Sequence, residues 1–480
     1  MKNYPQELSN AATTLGTAAW QAAAAVVKWV LLAGWGGALL TGCDQTPAGA
    51  DGRAASRVGL PKEVVAVRVQ KTAHGFQLLR GGKPYFIRGG GGLQRFAQLQ
   101  EAGGNSARLW SVDYATPLLD EAQHRGVTIM LGLWLEPESS YFSYYDPGMV
   151  QAQLQRLRQQ VLRYRYHPAL LMWNVGNEVE LTTSGPRLFK SVNAIARMIH
   201  ELDPYHPVTI SLGDGDLIFQ GAQLQQLAPE VDIMSVNSYG RLLDLPQRVQ
   251  KSGWKRPYIV TEYGGKGFWE TDSTFWKAPE EQTSAGKAEF ISSRYRQVIQ
   301  ADSNRCLGSY LFYWGSKFEY TPTWFSLFEP SGEKTESVDE MHLLWRKHYP
   351  ANRSPHLTEL RLAGQAAANE VTLRAGQRYP AVVRVTDPEG DSLTARWEVL
   401  PEMRPGAEIK EVATPLEPVP GCVVKVAGRQ AIIRMPSRPG AYRVYVRVFD
   451  GHGSVATANI PVLVRPAPKA AAYSAATSSD

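Results

Sequence analysis

Two glutamates stand where acid–base and nucleophilic chemistry can be done. Glu178 closes the segment Trp173-Asn174-Val175-Gly176-Asn177-Glu178, and Glu262 sits inside Ile259-Val260-Thr261-Glu262-Tyr263-Gly264. Each follows a short apolar run, which places its carboxyl group at the end of a buried strand. Two such carboxyl groups flanking a sugar ring suffice to break a glycosidic bond. One attacks the anomeric carbon and the other protonates the leaving oxygen, with the pair about 5–5.5 Å apart. The acid must hold its proton near neutral pH while the nucleophile stays ionised, so the two environments have to differ. Asn177, next to Glu178, is placed to bond a sugar 2-hydroxyl, a contact that strengthens in the transition state.

The chain predicts the scaffold that would bring these two residues together. Apolar runs at 84–89, 105–110, 127–135, 169–178, 208–213, 231–239, 257–264 and 306–315 alternate with helix-like segments. Most lack internal charge, as parallel strands buried on both faces do. In the segment after the fourth run, Leu188, Val192, Ile195, Ile199 and Leu202 fall on one helical face behind Pro186, and Asp203-Pro204 ends it. Eight strand–helix units predict an α/β fold, a (β/α)8 TIM barrel. In such a barrel strands four and seven lie nearly opposite, so Glu178 and Glu262 face each other across the strand ends. Glu136, Glu180 and Glu319 are the other acidic residues expected at that end. The bland alternative is that Glu178 and Glu262 only pair with Arg or Lys on the rim.

The competing open-sheet fold needs a glycine-rich phosphate turn. The glycines at 89–92 lack GxGxxG spacing and no GxxxxGK[ST] occurs, so no nucleotide and no other cofactor is expected. Those glycines read as close packing or room for substrate. The 51 basic and 45 acidic residues are dispersed, with no basic run that would suggest a nucleic-acid partner.

Around the barrel the chain divides readily. Residues 64–79 suggest a short hairpin feeding the first strand, inside a barrel domain at 61–350. Residues 354–465 carry short alternating strands between Pro/Gly turns and predict a C-terminal immunoglobulin-like β-sandwich. Its Asp387-Pro388-Glu389-Gly390-Asp391 turn offers oxygen ligands of the kind calcium takes, and reads first as a solvated turn. The Ala- and Ser-rich stretch 466–480 is expected to be disordered.

At the other end, an apolar stretch from Trp29 to Leu40 is too short to span a bilayer and suits a signal peptide. It ends in Leu40-Thr41-Gly42-Cys43, which resembles the bacterial lipobox, in which the cysteine is lipidated and becomes the mature N-terminus. Residues 1–42 are then a signal and 43–60 a flexible tether. The expected location is the bacterial cell envelope, anchored to a membrane through lipid on Cys43, with the barrel outside the cytoplasm and the leaflet open. The other two cysteines, Cys306 and Cys422, fall in different domains and read as free apolar residues.

Further residues carry a family resemblance. The Trp173–Glu178 and Thr261–Gly264 segments resemble the catalytic motifs of clan A retaining glycoside hydrolases, most closely the barrel of glycoside hydrolase family 2. Gly82-Lys83-Pro84-Tyr85-Phe86-Ile87-Arg88-Gly89, Ala102-Gly103-Gly104-Asn105-Ser106-Ala107-Arg108 and Val236-Asn237-Ser238-Tyr239 extend the likeness over roughly residues 75–350. The resemblance implies Glu178 as acid/base and Glu262 as nucleophile. It implies Tyr239 as the tyrosine bonded to the nucleophile, Arg108 as the arginine beneath it, Trp314 as the aromatic floor, and Asn237 among the substrate-binding residues. Family 2 barrels usually place a histidine after that arginine, whereas this chain continues Leu109-Trp110-Ser111. They also carry a sandwich and an immunoglobulin-like domain before the barrel, for which this chain has no room. Gly176-Asn177-Glu178-Val179 and Glu262-Tyr263-Gly264 also resemble fungal β-1,3-glucanosyltransferases.

The chain holds 13 Trp and 21 Tyr, and several aromatics fall in loops after strands three, seven and eight. Trp134, Tyr141, Phe268, Trp269, Tyr320 and Trp324 are among them, and with Trp134 as a candidate contact they suggest a cleft for several sugar units. The expected activity is retaining hydrolysis of β-glycosidic bonds in an oligo- or polysaccharide. Transglycosylation on the same two glutamates, and a non-catalytic glycan-binding lipoprotein, are the alternatives.

Overall fold

The computed structural model describes residues 64–183, 185–403 and 416–467. The signal, the tether, Cys43, Ser184 and most of the C-terminal tail lie outside these residues.

The chain opens with β1 (Val67–Thr72), β2 (Gly75–Arg80) and β3 (Lys83–Pro84), an antiparallel sheet in that order. The expected hairpin thus has a third short strand, and the first barrel strand begins at Ile87 instead of residue 84. This sheet plugs the bottom of the barrel. Val67 and Leu78 pack with Met130, Leu171, Ile233 and Ile259 from the barrel interior. The Phe76 amide bonds the carbonyl of Asn304, just before the last barrel strand.

Eight parallel strands follow: β4 (Ile87–Gly91), β5 (Ser106–Leu109), β6 (Thr128–Leu133), β7 (Leu170–Asn177), β8 (Val208–Gly213), β9 (Ile233–Asn237), β10 (Tyr258–Tyr263) and β11 (Cys306–Phe312). They close into a barrel, with β11 pairing back onto β4. All eight predicted runs are present, and nearly every residue in them is buried, because the interior takes one face of each strand and the helices cover the other.

A helix follows each strand: α1 (Phe96–Glu101), α2 (Ala115–His124), α3 (Pro147–Tyr164), α4 (Pro186–Leu202), α5 (Leu217–Leu227), α6 (Leu245–Lys251), α7 (Ser284–Arg294) and α8 (Glu336–Arg346). In α4, Leu188, Val192, Ile195 and Ile199 are fully buried and Leu202 partly so, the face the spacing predicts. Each such side chain stabilises the fold by about 1.5–3 kcal/mol on burial.

The second domain is a sandwich of two four-stranded sheets. β12 (His356–Leu362), β14 (Arg378–Thr386), β17 (Gln430–Arg434) and β16 (Val423–Ala427) form one, in that spatial order. β13 (Thr372–Arg374), β19 (Val455–Arg465), β18 (Gly440–Phe449) and β15 (Thr394–Pro401) form the other. β14 alternates exposed and buried residues as a half-exposed strand should. β19 is buried almost throughout, because its outer face lies against the barrel. Cys306 and Cys422 are free and buried, one in each domain.

The glycines at 89–92 let β4 approach the end of β11. A Cβ on Gly89 would lie 2.3 Å from the Tyr310 ring, and one on Gly92 would lie 2.5 Å from the Trp314 carbonyl oxygen. Close packing is therefore their role. Gly89→Ala is expected to destabilise the protein by about 1–3 kcal/mol through overpacking. Denaturant unfolding checks this, and an unchanged midpoint would show that the Tyr310 ring can move aside.

Candidate active site

The top of the barrel gathers a hydrogen-bonded cluster around one buried cation. Arg108, near the end of β5, has no solvent exposure. Its Nη1 donates to Glu262 Oε1 at 2.6 Å and to the Thr261 carbonyl at 3.0 Å. Its Nη2 donates to Asn177 Oδ1 at 2.5 Å and to Ser211 Oγ at 3.2 Å. The guanidinium thus joins β5, β7, β8 and β10 under the site.

Glu262 receives two further donors. Trp110 Nε1 bonds Oε1 at 2.9 Å, and the Tyr239 hydroxyl bonds Oε2 at 2.9 Å. Three donors, one of them charged, fix both oxygens of this carboxylate in place. Burial raises the Tyr239 phenol well above its usual range, with the Glu262 charge adding to it, so this hydroxyl remains a donor.

Glu178 meets different surroundings. It follows β7 directly at φ 50°, two residues after Gly176 at φ 79°, a left-handed turn that an ordinary strand end does not need. Its Oε1 accepts one side-chain bond, from Asn237 Nδ2 at 2.9 Å. The carboxyl is pushed up to about 8, first by burial and then by the Glu262 charge, against the opposing Asn237 bond. A group so placed holds a proton at neutral pH, as a general acid must.

The two asparagines set the orientation. Asn177 Oδ1 accepts from both Arg108 and Asn237, which fixes the amide. Its Nδ2 has no hydrogen-bond partner in the protein, while the residue as a whole is only partly buried. Asn237 is held in turn by Thr261 Oγ1, which donates to its Oδ1 at 2.8 Å.

The structure sorts the residues singled out from the sequence. Glu178, Glu262, Asn177, Arg108, Tyr239 and Asn237 come together in one network. Arg108 and Asn237 act on the glutamates; the completely buried guanidinium cannot reach a sugar. Trp314 does not form the floor of the cleft. Its ring is 1% exposed and packs on Phe328 and Trp345, with Nε1 bonded to the Arg95 carbonyl, because the chain at this strand end turns it toward α8. Phe312 and Tyr313 take the inner position instead. Phe312 meets Trp110 and Tyr239 edge-on at 5.8 and 6.1 Å, and Tyr313 stacks on Trp110 at 6.1 Å. Trp134 stands partly exposed just beyond β6, its carbonyl bonded by Arg156 at 3.1 Å.

Trp110 was the residue missed. Its signal lay in the departure itself, since it stands just past Arg108 where a histidine is usual. The other acidic residues have separate partners. Glu136 pairs with Arg156 at 3.6 Å, Glu319 with Lys317 at 2.5 Å, and buried Glu180 accepts the Gly213 amide at 2.6 Å. Among the described residues, one group of three acidic side chains converges closely enough to hold a metal: Asp387, Asp391 and Asp450, within 4.8 Å of one another in the sandwich. Asp387 and Asp450 already cap their own turns through Oδ1, bonding the amides of Glu389, Asp391, His452 and Ser454.

Comparison with known proteins agrees with the barrel fold. Residues 111–323 match the family model for the TIM barrel domain of glycosyl hydrolases family 2. The β-glucuronidase of Homo sapiens is 27% identical over 243 residues, covering 43% of this chain and 34% of that protein. That of Felis catus is 27% identical over 258 residues, covering 46% and 37%. A crystal structure of Bacteroides uniformis β-glucuronidase is 15% identical with a TM-score of 0.46, covering 84% of this chain and 48% of that one. The chain spans little more than a third of the length of the curated relatives it matches. The fold is a closed (β/α)8 barrel, and residues 111–323 of it are similar to the TIM barrel domain of glycosyl hydrolases family 2.

The raised Glu178 carboxyl has a consequence for stability. Between about 4.5, its ordinary value, and about 8, the folded protein keeps a proton that the unfolded chain has lost. Stability from this group therefore declines as pH rises through that window and is level above it. Glu178→Gln is expected to flatten the decline and raise Tm at pH 9. An unchanged slope of Tm against pH would contradict the assignment of a buried, protonated carboxyl.

Proposed function

We propose that the protein hydrolyses β-glycosidic bonds in an oligo- or polysaccharide with retention of configuration. Glu262 attacks the anomeric carbon while Glu178 passes its proton to the leaving oxygen, leaving a covalent glycosyl-enzyme. Glu178, now ionised, takes a proton from water, and that water releases the sugar from Glu262. The observation that carries this reading is the asymmetry of the pair. One carboxyl has three donors fixed on it, and the other is partly buried, has one side-chain donor and is raised to about 8. Asn177 Nδ2 is the donor for the sugar 2-hydroxyl. The relatives are β-glucuronidases, which supports β-linked substrates for the barrel.

A glycan panel with product sizing and anomer detection tests the reaction. Glu262→Gln should abolish turnover, and retained activity would remove Glu262 as nucleophile. In the unaltered protein kcat/KM should fall as pH rises through about 8, where Glu178 loses its proton. Glu178→Gln should remove that limb and still react with aryl glycosides whose leaving groups need no proton. Products longer than the substrate would shift the reading to transglycosylation on the same glutamates. No turnover of any glycan would favour a binding protein.

The segment Leu40-Thr41-Gly42-Cys43 supports a lipid anchor, which would place this activity in the cell envelope. Cys43→Ala should release the protein from membranes. Persistent membrane association of that variant would exclude lipid on Cys43 as the anchor.

A further inference from the structure

The sandwich touches the barrel on the side that carries the loops after β10 and β11, and it does so through buried polar groups. On β18, Arg443 is 1% exposed; it pairs with Glu402 at 2.8 Å, bonds Asn459 Oδ1 at 2.7 Å and reaches the Pro279 carbonyl at 2.8 Å. On β19, the Thr457 amide bonds Ser284 Oγ at 3.0 Å, and Asn459 Nδ2 donates to Glu281 Oε2 at 2.6 Å. Pro279, Glu281 and Ser284 belong to the segment that leads from the nucleophile strand into α7.

Glu281 passes the connection on. Its Oε2 also accepts from Thr321 Oγ1 at 2.7 Å, and its Oε1 pairs with Lys287 at 2.5 Å. Lys287 Nζ donates in turn to the Thr323 carbonyl at 2.6 Å. The loop after β11 is thereby held at residues 321 and 323, and the next two side chains belong to the buried aromatic cluster that includes Tyr239 and Phe312. Trp324 packs edge-on against Phe268 at 5.9 Å and Tyr320 at 5.7 Å. Phe325 packs on the Tyr239 ring at 5.3 Å, and its carbonyl accepts the Tyr313 amide at 3.0 Å. Tyr239 is the residue that bonds Glu262.

We infer that the C-terminal sandwich is a working part of the catalytic cleft, with Asn459 and Arg443 as positioning residues that act through Glu281 on the loop after β11. A spacer domain needs no buried charged groups at its joint, and it would not bond the segment leading from the nucleophile strand. Here a carboxylate from the barrel is shared between a sandwich amide and a hydroxyl of the cleft loop. Removing the sandwich donor leaves Glu281 short of a partner in a site closed to water, and the loop relaxes to compensate. Arg447 of β18 adds a second tie, bonding Glu329 farther along the same loop at 2.9 Å.

The test is Asn459→Leu in the full chain, a near-isosteric change that removes the donor to Glu281 without setting a second carboxyl against it. Thr321→Val removes the other donor to the same oxygen from the barrel side, and serves if the first variant does not fold. Amide exchange in residues 313–328 should accelerate at least about tenfold while the strands β4–β9 keep their protection. The kcat/KM should fall by about tenfold or more at a temperature where the fold is intact, because small misplacements of catalytic groups are costly. Unchanged loop exchange, or losses that spread evenly through the barrel and track Tm, would overturn the inference. The kinetic arm rests on the proposed hydrolysis, whereas the exchange arm does not. A protein inactive on every glycoside would defeat that reading and leave this one to be decided by exchange.

Discussion

Everything at the top of this barrel depends on the burial of the Arg108 guanidinium. A fully desolvated cation costs several kcal/mol unless charges and acceptors surround it. The barrel answers with Glu262, the Asn177 carbonyl, Ser211 and the Thr261 backbone, drawn from three other strands. Each of these groups is constrained because the cation cannot go without it. The site is rigid for an electrostatic reason before any substrate arrives.

The same low dielectric then separates the two glutamates. Glu262 shares the cation and gains Trp110 and Tyr239 as donors. Glu178, on the opposite strand, has the charge of Glu262 near it and one asparagine donor, so its proton stays on. One cluster thus makes the two carboxyls unlike, since a charge stabilised at one makes a second charge nearby more expensive. Trp110 serves this arrangement in two ways. An indole N–H offers one donor and no proton to lose, and it covers the Arg108 face at 5.0 Å as well.

The family match falls on residues 111–323, within the barrel, and barrels of this kind vary their chemistry through the loops at the strand ends. In this chain those loops are tied to a second domain that follows the barrel. The ring cluster of Tyr239, Phe312, Trp324 and Phe325 spans from the nucleophile's hydrogen bond to the sandwich interface. Selectivity for a sugar is therefore expected to reside in residues 265–283 and 313–335, and in what holds them.

Much of the architecture was legible in the chain because it follows from short-range pattern. Uncharged apolar runs mark doubly buried strands, the 3–4 spacing in residues 188–202 marks a helix face, and alternation at 381–385 marks a half-exposed strand. The glutamates were legible because both end such runs, and Asn177 because it adjoins one. What distinguished Glu178 from Glu262 physically was not, since their ionisation depends on groups contributed by strands far apart in sequence. Trp314 looked like the cleft aromatic because its place relative to β11 is right; only the packing of Phe328 and Trp345 shows that its ring turns outward and that Phe312 and Tyr313 face in. The aromatic surplus suggested a cleft, but nothing local could say that Asn459, nearly 200 positions beyond Glu262, would brace it. Sequence alone determined the alternation of strands and helices and the two carboxyl groups. Tertiary structure decided which one is held protonated, which rings they face and which domain steadies them, because burial and hydrogen-bond partnership are properties of the assembled neighbourhood.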